Sequence, residues 1–307
     1  MLISFLWLII GGLLLYLGAE WMVRGGSNLA GRMGVSPLVI GLTVVAFGTS
    51  LPELMVSLVA VIGGRESIAI GNVIGSNIAN VGLVLGVSSL IFPISVAYLT
   101  IAREIKIYLA VMAVFVLVCA DLIITRWEGA LLFLFLISYT VMHIKHPPLD
   151  YEKPRSDHST VPRSLLLVIL GIALLTYGAD LFVKGAVELA TLLGIPEVVI
   201  GMTIVALGTS LPELATSVVA AFRRESGISI GNIIGSNLFN ILSVIGLVSM
   251  VRPMHVEGHV LSLELPLMIA FGIVLFPITR MRQPIPRTSA LILLLGYLGV
   301  MVWMFYS

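Results

Sequence analysis

The chain is written twice. Residues 36 to 60, SPLVIGLTVVAFGTSLPELMVSLVA, overlie residues 196 to 220, PEVVIGMTIVALGTSLPELATSVVA, with 16 of 25 positions identical and no gap. Residues 68 to 86, IAIGNVIGSNIANVGLVLG, overlie residues 228 to 246, ISIGNIIGSNLFNILSVIG, with 11 of 19 identical at the same offset of 160. Two segments that keep one register mean that a whole unit is duplicated. Any fold proposed for one half must therefore serve the other.

What that unit can be follows from its apolar runs. Residues 33 to 64 contain one charged group, Glu53, and residues 67 to 102 contain none. A helix needs about 20 such residues to cross a hydrocarbon layer roughly 30 Å thick. Only 11% of the 307 residues are charged, against about 25% in an ordinary soluble domain. Too few polar side chains are present to coat a water-soluble fold.

Each half divides into five apolar elements. In the first half they lie near 3–27, 36–62, 67–92, 105–120 and 127–143, and in the second near 163–187, 196–221, 227–250, 262–279 and 289–306. The expected fold is all-α and polytopic, with ten transmembrane helices in two five-helix repeats, residues 1–143 and 163–307. An odd number of spans per unit sets the two units in inverted orientation. The polar, four-proline stretch 144–162 is the linker between them.

The opening residues, MLISFLWLIIGGLLLYLGAE, have no basic leader and no small-x-small cleavage site, so they read as the first membrane helix. With the N-terminus outside, thirteen of the seventeen Lys and Arg residues fall on the cytoplasmic side and four outside, as the positive-inside rule requires. Both termini are then expected outside a cell membrane and the linker in the cytoplasm. A formal net charge of +1 with dispersed basic residues gives no nucleic-acid surface, and the single Cys119 can form no internal disulfide.

The chemistry sits in the repeated segments. Glu53 and Glu213 lie near the middle of apolar elements, where ionisable groups mark a binding or conduction path. Pro52 and Pro212 remove an intrahelical hydrogen bond, and Gly48 and Gly208 tolerate a bend. One hinge can thus aim Thr49, Ser50, Glu53 and freed carbonyls at a single point. These are hard oxygen ligands of the kind Ca²⁺ and Na⁺ accept. Broken helices at the interface of inverted repeats are the recurring construction of secondary transporters.

Asn72, Ser76 and Asn80, and likewise Asn232, Ser236 and Asn240, form polar stripes, each extended by Asn77 or Asn237. Such stripes serve equally as cation ligands or as hydrogen-bonded glue between helices. Glu20 with Arg24, and Asp180 with Lys184, have the spacing of structural salt bridges within one helix. No HExxH, Walker-type loop, serine elbow or cysteine pair is present. ATP-driven pumping and familiar intramembrane hydrolysis therefore have no residues to support them.

The paired GTSLPEL and GSNxxN segments resemble the alpha repeats of the calcium/cation antiporter superfamily, specifically its prokaryotic sodium/calcium exchangers. The resemblance covers both halves. It implies ten transmembrane helices in two inverted sets of five, and an exchange of Na⁺ moving down its gradient for Ca²⁺ moving up. It implies acidic ligands at Glu53 and Glu213, hydroxyl and carbonyl ligands at Thr49, Ser50, Thr209 and Ser210, and further ligands at Ser76, Asn80 and Ser236. Asn240 departs from relatives that carry aspartate there, which leaves two formal negative charges instead of three. A proton- or potassium-linked calcium exchanger and a cation channel are the alternatives. No cofactor is expected. The implied partners are the lipid bilayer and the transported cations, with no protein partner and a monomeric working unit.

Overall fold

A computed structural model describes residues 1–95, 97–145, 160–195, 200, 203–204, 206–280 and 283–306. The first half runs α1 (Leu2–Met33), α2 (Pro37–Thr49), α3 (Leu51–Ile62), α4 (Glu66–Ile91), α5 (Tyr98–Cys119) and α6 (Arg126–Lys145). The second runs α7 (Val161–Leu192), a helical turn Ala206–Gly208, α8 (Leu211–Phe222), α9 (Ser226–Val251), α10 (Val260–Arg280) and α11 (Arg287–Tyr306). Every expected apolar element carries helix among the described residues. Residues 146–159 of the linker, and 196–199, 201, 202 and 205 of the seventh element, lie outside them.

Among the described residues five helices are long and apolar enough to cross a membrane, and the bent pair α2 and α3, set at 43°, makes a sixth if taken as one span. The fourth element starts earlier than its apolar run, at Tyr98 and not near 105, because the charges in its first turns have partners. The buried Glu104 carboxyl accepts from the Tyr139 hydroxyl at 2.8 Å and lies 2.8 Å from His143 Nε2, both on α6, and Arg103 Nε lies 3.1 Å away. A paired carboxylate can stay inside a helix bundle where a bare one would be expelled.

The contact between α1 and α7 reveals how the halves are related. Ser4, Gly11, Gly18 and Gly25 recur every seven residues on α1, and their repeat mates on α7 are Ser164, Gly171, Gly178 and Gly185. A methyl group placed on Gly11 would lie 2.8 Å from the Gly178 carbonyl oxygen, on Gly18 2.9 Å from that of Gly171, on Gly25 2.8 Å from that of Ser164, and on Gly185 2.7 Å from that of Ser4. One series rises as the other falls, so the helices are antiparallel. Because they are the same helix of the repeat, the two halves are inverted. Small residues let the backbones meet, and the sevenfold spacing keeps the seam on one side of each helix.

Position in the bundle follows from which faces are apolar. The most hydrophobic stretch of α9 is 89% buried and that of α4 72%, whereas those of α1 and α7 are 28% and 33% buried. Residues such as Leu2, Ile9, Leu13, Leu166 and Ile169 stand exposed on α1 and α7. Their solvent is lipid. The core is built around α4, α5, α9 and α10 with the hinge segments between them. A two-stranded link, Ile123–Ile124 (β1) against Met254–His255 (β2), ties the loops after α5 and α9 with Ile124 opposite Met254.

Charged pairs also cross between halves. Glu20 pairs with Arg223 rather than with Arg24 one turn away, and Glu66 with Arg252 at 3.2 Å. Lys184, expected beside Asp180, places its ammonium 5.1 Å from the centre of the Trp7 ring. The charges that looked local in sequence hold separate elements together.

Candidate cation site

Each half breaks its second span at the repeated motif, at Ser50 in the first half and at Thr209 and Ser210 in the second. Ser50 has φ −85° and ψ 7°, and Ser210 has φ −85° and ψ 1°, so α2 stops at Thr49 and α3 and α8 restart at Leu51 and Leu211. Proline in the first turn of the new helix costs nothing there, because its amide would have had no helical partner. The break puts Glu53 and Glu213 in the first turn of the next helix. Gly48 does more than allow a bend. A methyl there would come 2.6 Å from Met22 Cε, so the hinge rests directly against α1.

The asparagine helices hold the glutamate helices in place. Asn72 Nδ2 donates to the Glu53 backbone carbonyl at 3.2 Å and to Ser57 Oγ at 3.0 Å. Asn232 Nδ2 donates to the Glu213 carbonyl at 3.3 Å and to Ser217 Oγ at 3.0 Å. This clamp is the same in both halves and fixes the backbone on which each carboxylate stands. Asn72 and Asn232 belong to the polar stripes but not to the expected ligand set. Only the clamp partners, 15 and 19 residues away, define what they do.

The ligand candidates are wired across the halves. Thr49 Oγ1 donates to Asn232 Oδ1 at 3.0 Å and lies 3.3 Å from Ser236 Oγ. Ser50 Oγ donates to Glu213 Oε1 at 3.2 Å, and Ser236 Oγ reaches the same oxygen at 3.5 Å. The Glu53 carboxyl stands near Glu213 and the Thr209 hydroxyl without a well-formed hydrogen bond. Helix α3 packs on the turn that begins at Asn240, and α8 on the turn that begins at Asn80. Both turns, Asn80–Leu85 and Asn240–Ile245, are π-helical, as is Gly41–Val45 ahead of the first hinge. The wider turn takes a carbonyl out of the regular ladder and is frequent at functional sites.

Nine of the ten expected ligands, Thr49, Ser50, Glu53, Ser76, Asn80, Ser210, Glu213, Ser236 and Asn240, are buried, and Thr209 is half-buried. Thr49, Ser50, Glu213 and Ser236 are joined directly, and Asn80 is joined to the other half through Asn237 at 3.0 Å. Among the described residues no hydrogen-bond partner reaches either Glu53 oxygen, Glu213 Oε2, Ser210 Oγ, Asn80 Oδ1 or either polar atom of Asn240. Burying a carboxylate without a partner costs several kcal/mol at the least. A cation bound among these oxygens removes that cost. The donor set contains carboxylate, hydroxyl and amide oxygen and no sulfur or imidazole, which suits Ca²⁺ and Na⁺ over softer metals.

Comparison with known proteins decides the family. Residues 3–145 and 163–306 match the family described as sodium/calcium exchanger protein, which takes in both halves and leaves out the linker. The chain belongs to the sodium/calcium exchanger family. It is 35% identical to inner membrane protein YrbG of Escherichia coli K12 over 99% of this chain and 96% of that protein. It is 33% identical to sodium/calcium exchanger MaX1 of Methanosarcina acetivorans over 99% of both. The structure of the sodium-calcium exchanger NCX_Mj from crystals soaked with zero Na⁺ and Ca²⁺ superposes with a TM-score of 0.87 at 34% identity, covering 98% of this chain and 99% of that one. This exchanger is thus an all-α, multi-pass membrane protein of two inverted repeats. It is a secondary transporter of sodium and calcium and not an enzyme, as the repeated motifs imply.

Proposed function

We propose that the exchanger loads Ca²⁺ and Na⁺ in turn at one site between the halves, with Glu53 and Glu213 as the charged ligands. Thr49, Ser50, Ser76, Asn80, Thr209, Ser210, Ser236 and Asn240 surround them with neutral oxygens. The observation that carries this reading is the pair of buried glutamates that follow matching hinge serines, clamped by matching asparagines, with most of their carboxylate oxygens unsatisfied. Two carboxylates balance one Ca²⁺ or two Na⁺. A third Na⁺ would leave one positive charge over, because Asn240 contributes none.

Transport runs by alternating access. The two hinges are alike in sequence but not in exposure: Thr43 and Ala46 are buried, whereas their mates Thr203 and Ala206 are exposed. Helix α2 packs on α9 beside the site, and inversion of the repeats supplies two mirror-related states. The basic residues favour both termini outside and the linker 144–162 in the cytoplasm. The five-helix repeats 1–143 and 163–307 are the two halves of this machine. Both glutamates come from one chain, so the site is complete in a monomer.

The test is ⁴⁵Ca²⁺ uptake into proteoliposomes loaded with Na⁺, with K⁺, or with a pH gradient alone. Uptake driven by internal Na⁺ is the expected result. Uptake of equal size from the pH gradient without Na⁺ would make the protein a proton-linked exchanger.

A further inference from the structure

A polar chain that enters the site from outside the ligand set joins Tyr108 to Asn80. Tyr108 is on α5, fully buried, and carries the largest fully enclosed side chain among the described residues. Its hydroxyl oxygen accepts from Asn237 Nδ2 at 3.1 Å. Asn237 Oδ1 in turn accepts from Asn80 Nδ2 at 3.0 Å. The one end of the Asn80 amide that no other group takes is Oδ1, which is buried and without a hydrogen-bond partner among the described residues.

This relay exists in one half only. The position 160 residues after Tyr108 is Met268, which offers no hydroxyl. The mate of Asn237, Asn77, donates instead to the Val73 carbonyl of its own helix at 2.7 Å, and neither polar atom of Asn240 has a partner among the described residues. Asn80 is therefore held, and Asn240 is not.

We infer that Tyr108 is a positioning residue of the ion site, which through Asn237 holds the Asn80 amide with its oxygen toward the bound cation. The inference rests on the reading of Asn80 as a ligand. If Asn80 turned over alone, its Oδ1 would face Asn237 Oδ1, two acceptors with no proton between them. Both amides and the Tyr108 hydroxyl can turn only together, and because that reversal keeps both hydrogen bonds, it is the cation, which takes an oxygen and not an N–H₂, that selects the orientation in which the relay then anchors Asn80. Donation from Nδ2 also polarises the amide and strengthens its oxygen as a ligand. A ligand held in place before the ion arrives loses less freedom on binding.

The experiment measures Na⁺-driven Ca²⁺ uptake in proteoliposomes for the parent, Tyr108→Phe, Asn80→Ala and the double variant. Losing one anchoring hydrogen bond should raise the half-saturating Ca²⁺ concentration of Tyr108→Phe about three- to tenfold. Maximal flux should stay within about twofold, since the groups that carry charge are intact. Asn80→Ala should raise half-saturation at least as far, and adding Tyr108→Phe to it should change nothing more. A purely structural tyrosine would lower flux and thermal stability without that dependence on Asn80. Unchanged half-saturation in Tyr108→Phe, with a rise in Asn80→Ala, overturns the inference and leaves Asn80 a ligand. Unchanged half-saturation in Asn80→Ala overturns the ligand reading and the inference with it. A double variant whose effect multiplies those of the two singles overturns the inference, because Tyr108 then acts by another route. Should Tyr108→Phe fail to purify, Asn237→Leu breaks the same relay at its middle and is scored in the same way.

Discussion

The two glutamates occupy matching positions but are not equally served. Glu213 receives hydroxyls from Ser50 and Ser236, whereas neither oxygen of Glu53 has a hydrogen-bond partner among the described residues. Both are needed to match a divalent charge, so Glu53→Gln and Glu213→Gln should each abolish ⁴⁵Ca²⁺ uptake while the protein still purifies as a monodisperse species. Near-parental flux from either variant would remove that residue from the site. Asn240→Asp should bring a third acid within reach of the ions, and three coupled carboxyls release protons in shared steps. Competition between Na⁺ and Ca²⁺ at several pH values should then show a changed preference and a steeper pH dependence, and profiles identical to the parent would place Asn240 outside the site. At this scale the glutamates and their hydroxyl neighbours were legible because the repeat prints them twice. The roles of Asn72, Asn232, Asn237 and Tyr108 were not, since each depends on a partner on another helix that no local spacing reveals.

Among the elements, the α1–α7 seam makes the sharpest claim about packing. A methyl on Gly18 would lie 2.7 Å from the Leu175 amide nitrogen and 2.9 Å from the Gly171 carbonyl, whereas one on Gly12 would meet nothing closer than the Phe182 ring at 4.0 Å. Backbone cannot swing aside as a side chain can, and overpacking of this kind typically costs about 1–3 kcal/mol. Thermal unfolding in detergent should show Gly18→Ala clearly less stable than the parent and Gly12→Ala close to it. Equal melting of the two would mean that the seam is looser than its distances. Span positions and the two hinges could be read from apolar runs and from Pro52 and Pro212. The π turns at Asn80 and Asn240 could not, because no residue type specifies them. The early start of α5 was hidden for a related reason: Arg103 and Glu104 look like the edge of a membrane span until Tyr139 and His143 are seen beside them.

For the whole molecule, inversion of the halves follows both from five spans per unit and from the antiparallel glycine series, while orientation in the membrane rests on the distribution of Lys and Arg. In a Cys119→Ser background, a single cysteine in the linker at residue 153 should resist an impermeant reagent added outside intact cells and react once the cells are opened. Reaction from outside would reverse the topology. The repeat made the twofold architecture legible. The difference in exposure between Thr43 and Ala46 and their mates Thr203 and Ala206 was not, since two copies of nearly one sequence do not say which is buried. The central claim is that one cation site is shared by the two hinges, and the most direct measurement is anomalous diffraction from crystals of this exchanger soaked in Ca²⁺ or Sr²⁺. The account predicts an anomalous peak with carboxylate oxygens of both Glu53 and Glu213 at about 2.3–2.6 Å for Ca²⁺. A peak bound elsewhere, with the two glutamates hydrogen-bonded to each other, would contradict it.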